Sequence, residues 1–131
     1  MFAKAAYWVT TLLFCAFYGF SVFTYIFDPA GSAAGYQAVG YPAYLVGVMT
    51  FVKIAGILAV LVRRPVGLAQ LAYAGFFYHL ILAFSAHVTS GVPGFEISVV
   101  LFVLVVVSWL SQNAARSPDA AYVPDWFDRR A

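Results

Sequence analysis

The sequence contains very little charge. Only 9% of its 131 residues are Asp, Glu, Lys or Arg, whereas 64% are hydrophobic, and the formal net charge is +2. A composition this apolar lies outside the range of soluble globular proteins. The few basic residues are not interleaved with stacking aromatics as nucleic-acid surfaces require. The composition therefore indicates an integral membrane protein whose main partner is the lipid bilayer, and no nucleic-acid partner is expected.

Cysteine and histidine are also scarce. Cys15 is the one cysteine, so neither an intrachain disulfide nor a multi-cysteine metal or iron–sulfur site can form. His79 and His87 lie eight residues apart on one predicted helix, too far to share a metal as an i, i+4 pair does. Phosphate loops, dinucleotide fingerprints and nucleophile elbows are also missing. We expect no metal and no intrinsic cofactor, so redox chemistry would need a borrowed one.

Four long apolar runs dominate what is present. They cover about residues 7–27, 43–62, 67–88 and 92–110, and each can cross a hydrocarbon core of about 30 Å. A Gly/Ala/Ser-rich loop over residues 28–42 separates the first two, and turns at 63–65 and 91–94 separate the others. Short loops join antiparallel neighbours, so residues 1–112 are predicted to form an all-α, four-transmembrane-helix up-down bundle.

The basic residues outside the apolar runs are distributed unevenly. They lie before the first span, in the second loop and after the fourth span: Lys4, Arg63, Arg64, Arg116, Arg129 and Arg130. The positive-inside rule then predicts that both termini are cytoplasmic. Residues 113–131 mix aromatic and charged side chains and are expected to form a cytoplasmic interfacial tail along the headgroup layer, or to dock on a partner subunit.

Lys53 departs from this distribution because it lies near the middle of the second span. A charge at bilayer depth is a functional-site candidate by default. His79 and Tyr18 fall at about the same depth in their own spans, and Tyr18 belongs to a stripe on one face of the first helix formed by Thr11, Cys15, Tyr18, Ser21 and Tyr25. Tyr18, a neutral His79 or a ligand oxygen could accept a hydrogen bond from Lys53. Alternatively, Lys53 only fixes helix packing.

A second group of polar residues lies near the membrane surface opposite the predicted cytoplasmic side. His87 ends the third span, Glu96 begins the fourth, and Asp28 and Tyr41 flank the first loop. A histidine beside a carboxylate could relay protons or orient a ligand. Ordinary solvation at the interface would also explain these residues without a function.

An ordered set of short motifs resembles the DoxX-like family over about residues 8–112. The motifs are Gly40-Tyr41-Pro42, Gly47-Val48-x-x-x-x-Lys53-x-x-Gly56, Leu71-Ala72-Tyr73-Ala74-Gly75-Phe76-Phe77, then Ala83 and His87, with Ser108 near the end of the fourth span. The resemblance implies that Lys53, Tyr73, Gly75 and His87 occupy positions where the family carries similar residues. His79 stands where many relatives have an acid, which replaces an acid–lysine pair by a histidine–lysine pairing.

The resemblance implies an association with membrane oxidoreductases, notably thiosulfate:quinone oxidoreductase and a thiol-stress-linked oxidoreductase complex. The expected role is an accessory or quinone-site subunit in the bacterial inner (cytoplasmic) membrane, with Lys53, His79, Tyr18 and Tyr73 binding the ligand. Two alternatives stay open. One is a membrane-embedded isomerase or cyclase for a lipophilic substrate, with His87 and Glu96, or His79 and Lys53, as acid and base. The other is a non-catalytic scaffold or lipid-binding subunit, within a larger complex or a homo-oligomer.

Overall fold

The structure is a computed structural model that describes residues 1–127. Five α-helices follow one another: α1 (Phe2–Phe27), α2 (Pro29–Ala38), α3 (Leu45–Val62), α4 (Val66–Ser90) and α5 (Phe95–Ala115), with a short 3-10 turn at Asp125–Phe127. The described residues contain no β-strand. Helices α1, α3, α4 and α5 are long and apolar enough to cross a membrane. The predicted all-α class and the four predicted spans are therefore confirmed.

The four spanning helices pack in a ring in which α1 and α4 each contact both α3 and α5. Short turns join α3 to α4 and α4 to α5, so these neighbours run antiparallel. Thr11, in the first half of α1, hydrogen-bonds Ser108, in the second half of α5, at 2.6 Å. Arg116 contacts both Tyr7 at the start of α1 and the carbonyl of Leu61 at the end of α3. Helix α1 therefore runs antiparallel to both of its neighbours as well.

Aromatic side chains fill the centre of this ring. Phe76 of α4 contacts Phe14 and Tyr18 of α1, with ring centroids 5.4 Å and 4.6 Å apart. Gly56 of α3 faces the same ring, because a Cβ added there would lie 2.8 Å from Cζ of Phe76. The absence of a side chain at residue 56 therefore allows α3 to approach α4 closely. Most large apolar side chains outside this core point outward, where a bilayer would cover them.

The prediction of a loop over residues 28–42 is wrong for its first part, because Pro29–Ala38 forms helix α2. The Asp28 side chain caps this helix by accepting a hydrogen bond from the Gly31 amide at 3.0 Å. Pro29 occupies the first helical position, where its missing N–H costs nothing. Helix α2 packs on α1 and α3. It therefore covers the end of the bundle where α1 finishes and α3 begins.

The opposite end is closed by buried arginine contacts. The Arg63 side chain is 2% exposed and donates to Oε1 of Gln112 at 3.1 Å and to the carbonyl of Pro118. Burial lowers the pKa of the Arg63 guanidinium from its usual value, although arginine keeps its charge in proteins. Arg116 donates to the Leu61 carbonyl at 2.9 Å, which satisfies one of the free carbonyls at the end of α3. These arginines therefore hold the fold together in addition to marking one membrane side.

The tail begins later than predicted, because helix α5 continues to Ala115. The chain then folds back onto the bundle, where the Pro118 carbonyl accepts from Arg63. The placement of the tail along the headgroup layer or on a partner subunit stays a prediction. Asn113 and Ala120 exchange two hydrogen bonds, at 2.8 Å and 3.0 Å, while Tyr122 and Trp126 stay exposed. Arg129 and Arg130, which contributed to the predicted orientation, lie outside the described residues. The cytoplasmic placement of the termini stays a prediction.

Candidate functional site

Lys53 of α3 is a buried ammonium group held by α1. Its side chain is 4% exposed, and Nζ donates to Oγ of Ser21 at 2.7 Å and to Oη of Tyr25 at 2.9 Å. Nζ also lies 4.3 Å from the ring centroid of Tyr25 and 5.4 Å from that of Tyr18. These three residues recur at helical spacing and so present one face to α3. No carboxylate pairs with Lys53 among residues 1–127, and its charge is stabilised by hydroxyl oxygens and aromatic rings.

Of the acceptors that the sequence left open for Lys53, neither His79 nor the Tyr18 hydroxyl accepts a hydrogen bond from it. Nδ1 of His79 instead shares a hydrogen bond of 2.8 Å with the Tyr18 hydroxyl. The acceptors for Lys53 are Ser21 and Tyr25, which lie up to two turns further along α1 than Tyr18. A lysine side chain extends several ångströms from its Cα atom toward polar groups. The depth of the Cα atom in the membrane therefore does not determine which groups accept hydrogen bonds from the ammonium. Tyr18 therefore contacts Lys53 only through its ring face and links it to His79.

The ammonium begins a directed chain of hydrogen bonds that leads to α2. Lys53 donates to Tyr25, and the Tyr25 hydroxyl donates to the Tyr36 hydroxyl at 3.0 Å. Within residues 1–127 the proton of the Tyr36 hydroxyl has no acceptor, and Tyr36 lines a cavity. Burial and the hydrogen bond with Tyr25 raise the pKa of Tyr36, so its hydroxyl remains a donor. A positive charge at one end polarises such a chain and strengthens the donor at the other end.

The cavity has a volume of about 710 Å³ and lies between α2 and the adjoining ends of α1, α3 and α4. This volume is within the range of small-molecule sites. Small and apolar residues such as Gly35, Leu45 and Ala83 form much of its wall. The polar side chains that line it are Thr24, Tyr25, Asp28, Ser32, Tyr36, Tyr41, His79 and His87. The space is therefore suited to an apolar ring that carries a few hydrogen-bonding oxygens.

The structure brings His87 to this cavity but leaves Glu96 outside it. Nδ1 of His87 lies 3.0 Å from the carbonyl oxygen of Val92, and because that oxygen only accepts, Nδ1 carries the proton. The other ring nitrogen of a neutral His87 is then an acceptor. Glu96 is exposed in the first turn of α5, does not line the cavity, and forms no ion pair with His87 among the described residues. The two predicted catalytic candidates are therefore not juxtaposed.

Tyr73 lies away from the cavity, in the interior of the bundle. Its hydroxyl hydrogen-bonds Oγ of Ser108 at 2.7 Å, and Ser108 also bonds Thr11. All three side chains are buried, and none lines the cavity. This arrangement connects α1, α4 and α5 and gives Tyr73 a packing role. Among residues 1–127, no three His, Cys, Asp or Glu side chains are grouped so that they could hold a metal ion.

Sequence reasoning missed Ser21, Tyr25 and Tyr36 as members of this site. Ser21 and Tyr25 were placed on the correct face of α1, but Tyr36 was assigned to a loop. The Asp28-Pro29 pair was the available signal, since an N-cap residue followed by proline marks a helix start. Recognising that helix would have placed Tyr36 two turns from its N-terminus, where it can turn back toward the bundle.

A comparison with protein-family models matches residues 9–111 to the model described as the DoxX-like family. The matched range includes nearly all of the four spanning helices, together with Lys53, His79 and the α2 segment. No curated protein and no solved structure matches the chain.

Proposed function

Because the chain belongs to the DoxX-like family, we propose that it is a quinone-site subunit of a membrane-bound oxidoreductase assembly in the bacterial cytoplasmic membrane. The association of that family with membrane oxidoreductases supplies the redox context. The observation that carries the proposal is the directed chain Lys53–Tyr25–Tyr36, which ends with a donor at the wall of the cavity. The predicted cytoplasmic placement of both termini would put this cavity in the outer half of the membrane.

The residues present fit the head group of a quinone. Such a ring is flat and apolar and carries carbonyl oxygens that accept hydrogen bonds. The cavity offers aromatic and aliphatic walls, and Tyr36 offers a donor that is strengthened by the charge of Lys53. Lys53 acts through Tyr25 and is therefore a positioning residue. A bound quinone supplies the two-electron acceptor chemistry that the side chains of this protein lack.

His87 and His79 complete the polar lining of the proposed head-group site. Since Nδ1 of His87 donates to the Val92 carbonyl, its second nitrogen is available to accept a proton from a hydroxyl on the ligand. His79 is oriented by its bond to Tyr18. The two imidazoles therefore provide the cavity with groups that can hold or accept a proton. Tyr36, which is polarised by the charge of Lys53, favours a ligand oxygen that accepts a hydrogen bond.

The first test is binding of a dimethoxy-methyl-benzoquinone without a side chain to the protein in lipid nanodiscs. We expect Tyr36→Phe to weaken this binding by about tenfold, since a hydrogen bond within a charge-assisted chain contributes about 1.5 kcal/mol. Tyr44→Phe is the matched control, because Tyr44 immediately precedes α3 at the same end of the bundle, is exposed and does not line the cavity. Equal affinity of the wild type and a folded Tyr36→Phe variant would contradict the proposed donor.

The assembly part of the proposal needs a separate measurement. The protein is extracted from its own membrane in mild detergent and analysed by native mass spectrometry. We expect the spectra to show bound redox subunits or retained quinone. A bare monomer or homo-oligomer without quinone would instead support an autonomous protein.

A membrane-embedded isomerase or cyclase is the second candidate function, and one observation favours it. His79 and His87 line the same cavity and could act as acid and base on a lipophilic substrate. This candidate differs from the first because the isolated protein would turn over its substrate without a partner. A non-catalytic scaffold, in contrast, would function normally with both histidines replaced by glutamine.

A further inference from the structure

A second cavity runs along the outside of the bundle between α3 and α4, and we name it the α3–α4 groove. Its volume is about 570 Å³. Apolar side chains of both helices form its walls, among them Val52 and Ala55 of α3 and Leu71 and Ala74 of α4. These four residues are exposed in the isolated chain, so the groove opens where a bilayer would cover the protein. Its surroundings therefore differ sharply from the polar cavity under α2.

The groove meets the first cavity at its inner end. Tyr18, Lys53 and His79 line this inner end. Two residues, Met49 and His79, line both the groove and the cavity under α2, so the two spaces adjoin at these side chains. A single molecule could therefore place a polar ring in the cavity and extend an apolar chain along the groove into the bilayer.

We propose that the ligand has these two parts, a polar ring and a long apolar chain, and that the chain lies in the α3–α4 groove. This inference rests on the proposed function and narrows the ligand to lipid-soluble, tailed molecules that enter from the membrane. An acyl chain of a bilayer lipid would match the apolar walls of the groove but would not account for its connection to the cavity under α2 at Met49 and His79. A second copy of the protein would cover the walls without reaching the inner end.

Gly75 gives a direct way to close the groove. It lines the groove on α4, and a Cβ added there would have no atom within 4 Å, so the first carbon of a larger side chain meets open space beside the groove. Gly67 lies two turns earlier on α4, has equally open surroundings and does not line the groove. Leucine at either position also favours the helix more than glycine does. Gly75→Leu and Gly67→Leu therefore form a matched pair.

The experiment compares two quinones on the wild type and on this pair of variants in nanodiscs. One is the dimethoxy-methyl-benzoquinone without a side chain, and the other is its decyl derivative, with each value corrected for partition into protein-free nanodiscs. We expect Gly75→Leu to weaken binding of the decyl derivative by at least about fivefold, since overpacking an occupied site costs that much or more. The ring alone should bind within about twofold of wild type, as should both quinones to Gly67→Leu.

The outcomes separate this inference from the proposed function. If neither quinone binds the wild type, the proposed function fails and this inference fails with it. If the ring binds but Gly75→Leu leaves the decyl derivative unaffected, the head-group site stands and the groove holds a bilayer lipid or a second copy. A decyl derivative with a photoreactive chain end gives an independent check. Labelled peptides should contain residues 51–59 or 68–78, and labelling confined to α5 would overturn the inference.

Discussion

Replacing Lys53 by methionine should separate ligand binding from folding. The ammonium costs about 2.5–3.5 kcal/mol at this depth. Its two hydrogen bonds, to Ser21 at 2.7 Å and to Tyr25 at 2.9 Å, return about 1.5–3 kcal/mol each. These contributions largely cancel, and methionine has a similar length and no charge to bury. We therefore expect the free energy of unfolding of Lys53→Met to differ from wild type by less than about 2 kcal/mol.

Ligand affinity should respond more clearly than stability. Charge-assisted hydrogen bonds are about twice as strong as neutral ones, so removing the charge behind Tyr25 and Tyr36 should cost about 1 kcal/mol of binding. This corresponds to about fivefold weaker binding of the ring-only quinone. The assay is equilibrium binding in nanodiscs, and the thermal midpoint of the same nanodisc preparation is the control for folding.

A double-mutant cycle with Tyr25→Phe tests whether Lys53 acts through the proposed chain. Tyr25→Phe interrupts the chain, so adding Lys53→Met should then change affinity by less than about twofold. If Lys53→Met has the same effect in both backgrounds, the lysine acts on the ligand directly or through another path, and the chain is refuted. Unchanged affinity in the single Lys53→Met variant, with normal expression, would show that this lysine is structural.

Two further predictions concern stability. Gly56→Ala should lower stability by about 1–3 kcal/mol because its Cβ would lie 2.8 Å from Phe76. Gly47→Ala on the same helix meets no atom within 4 Å and should be neutral or stabilising. Heating followed by size-exclusion chromatography compares the two variants, and equal behaviour would contradict the close contact. Gln112→Leu should lower the free energy of unfolding by about 2–3 kcal/mol because it removes an acceptor from the buried Arg63. It should also speed trypsin cleavage after Arg116, while Gln37→Leu on the exposed face of α2 should change neither quantity. An unchanged cleavage rate in Gln112→Leu would show that Arg63 does not hold the tail.

The spans and the depth of the charged residue could be predicted from sequence because both follow from hydropathy and chain length. Apolar runs of about twenty residues define spans, and counting residues places Lys53 near the middle. The partners of Lys53 could not be predicted, because a flexible side chain of four methylene groups reaches acceptors one or two turns away from its own depth. For this reason the sequence did not show that Ser21 and Tyr25, and not His79, accept from Lys53.

Helix α2 and the tail were harder for a different reason. The hydropathy pattern does not reveal a short helix at the membrane surface that begins with a polar N-cap residue. Only the Asp28-Pro29 pair indicated where this helix starts. Arg63 was explained by membrane orientation, which hid its contacts with Gln112 and Pro118. Long-range contacts between the two ends of the chain leave no local pattern, so the closure of that end of the bundle is visible only in three dimensions.

The bonded trio of Thr11, Ser108 and Tyr73 makes the four helices unequal. It fastens α1, α4 and α5 together, whereas α3 has three buried residues, of which one is Lys53. In a bilayer, lipid tails solvate apolar helices as well as other helices do, so polar contacts decide which helix stays attached. Three helices thus act as a frame, and α3 is tied to α5 by Arg63 and Arg116 at one end and to α1 by Lys53 near its middle. The half of α3 that precedes Lys53 lacks such a polar tie to α1, α4 or α5 among the contacts described above, so any rearrangement of α3 should begin there.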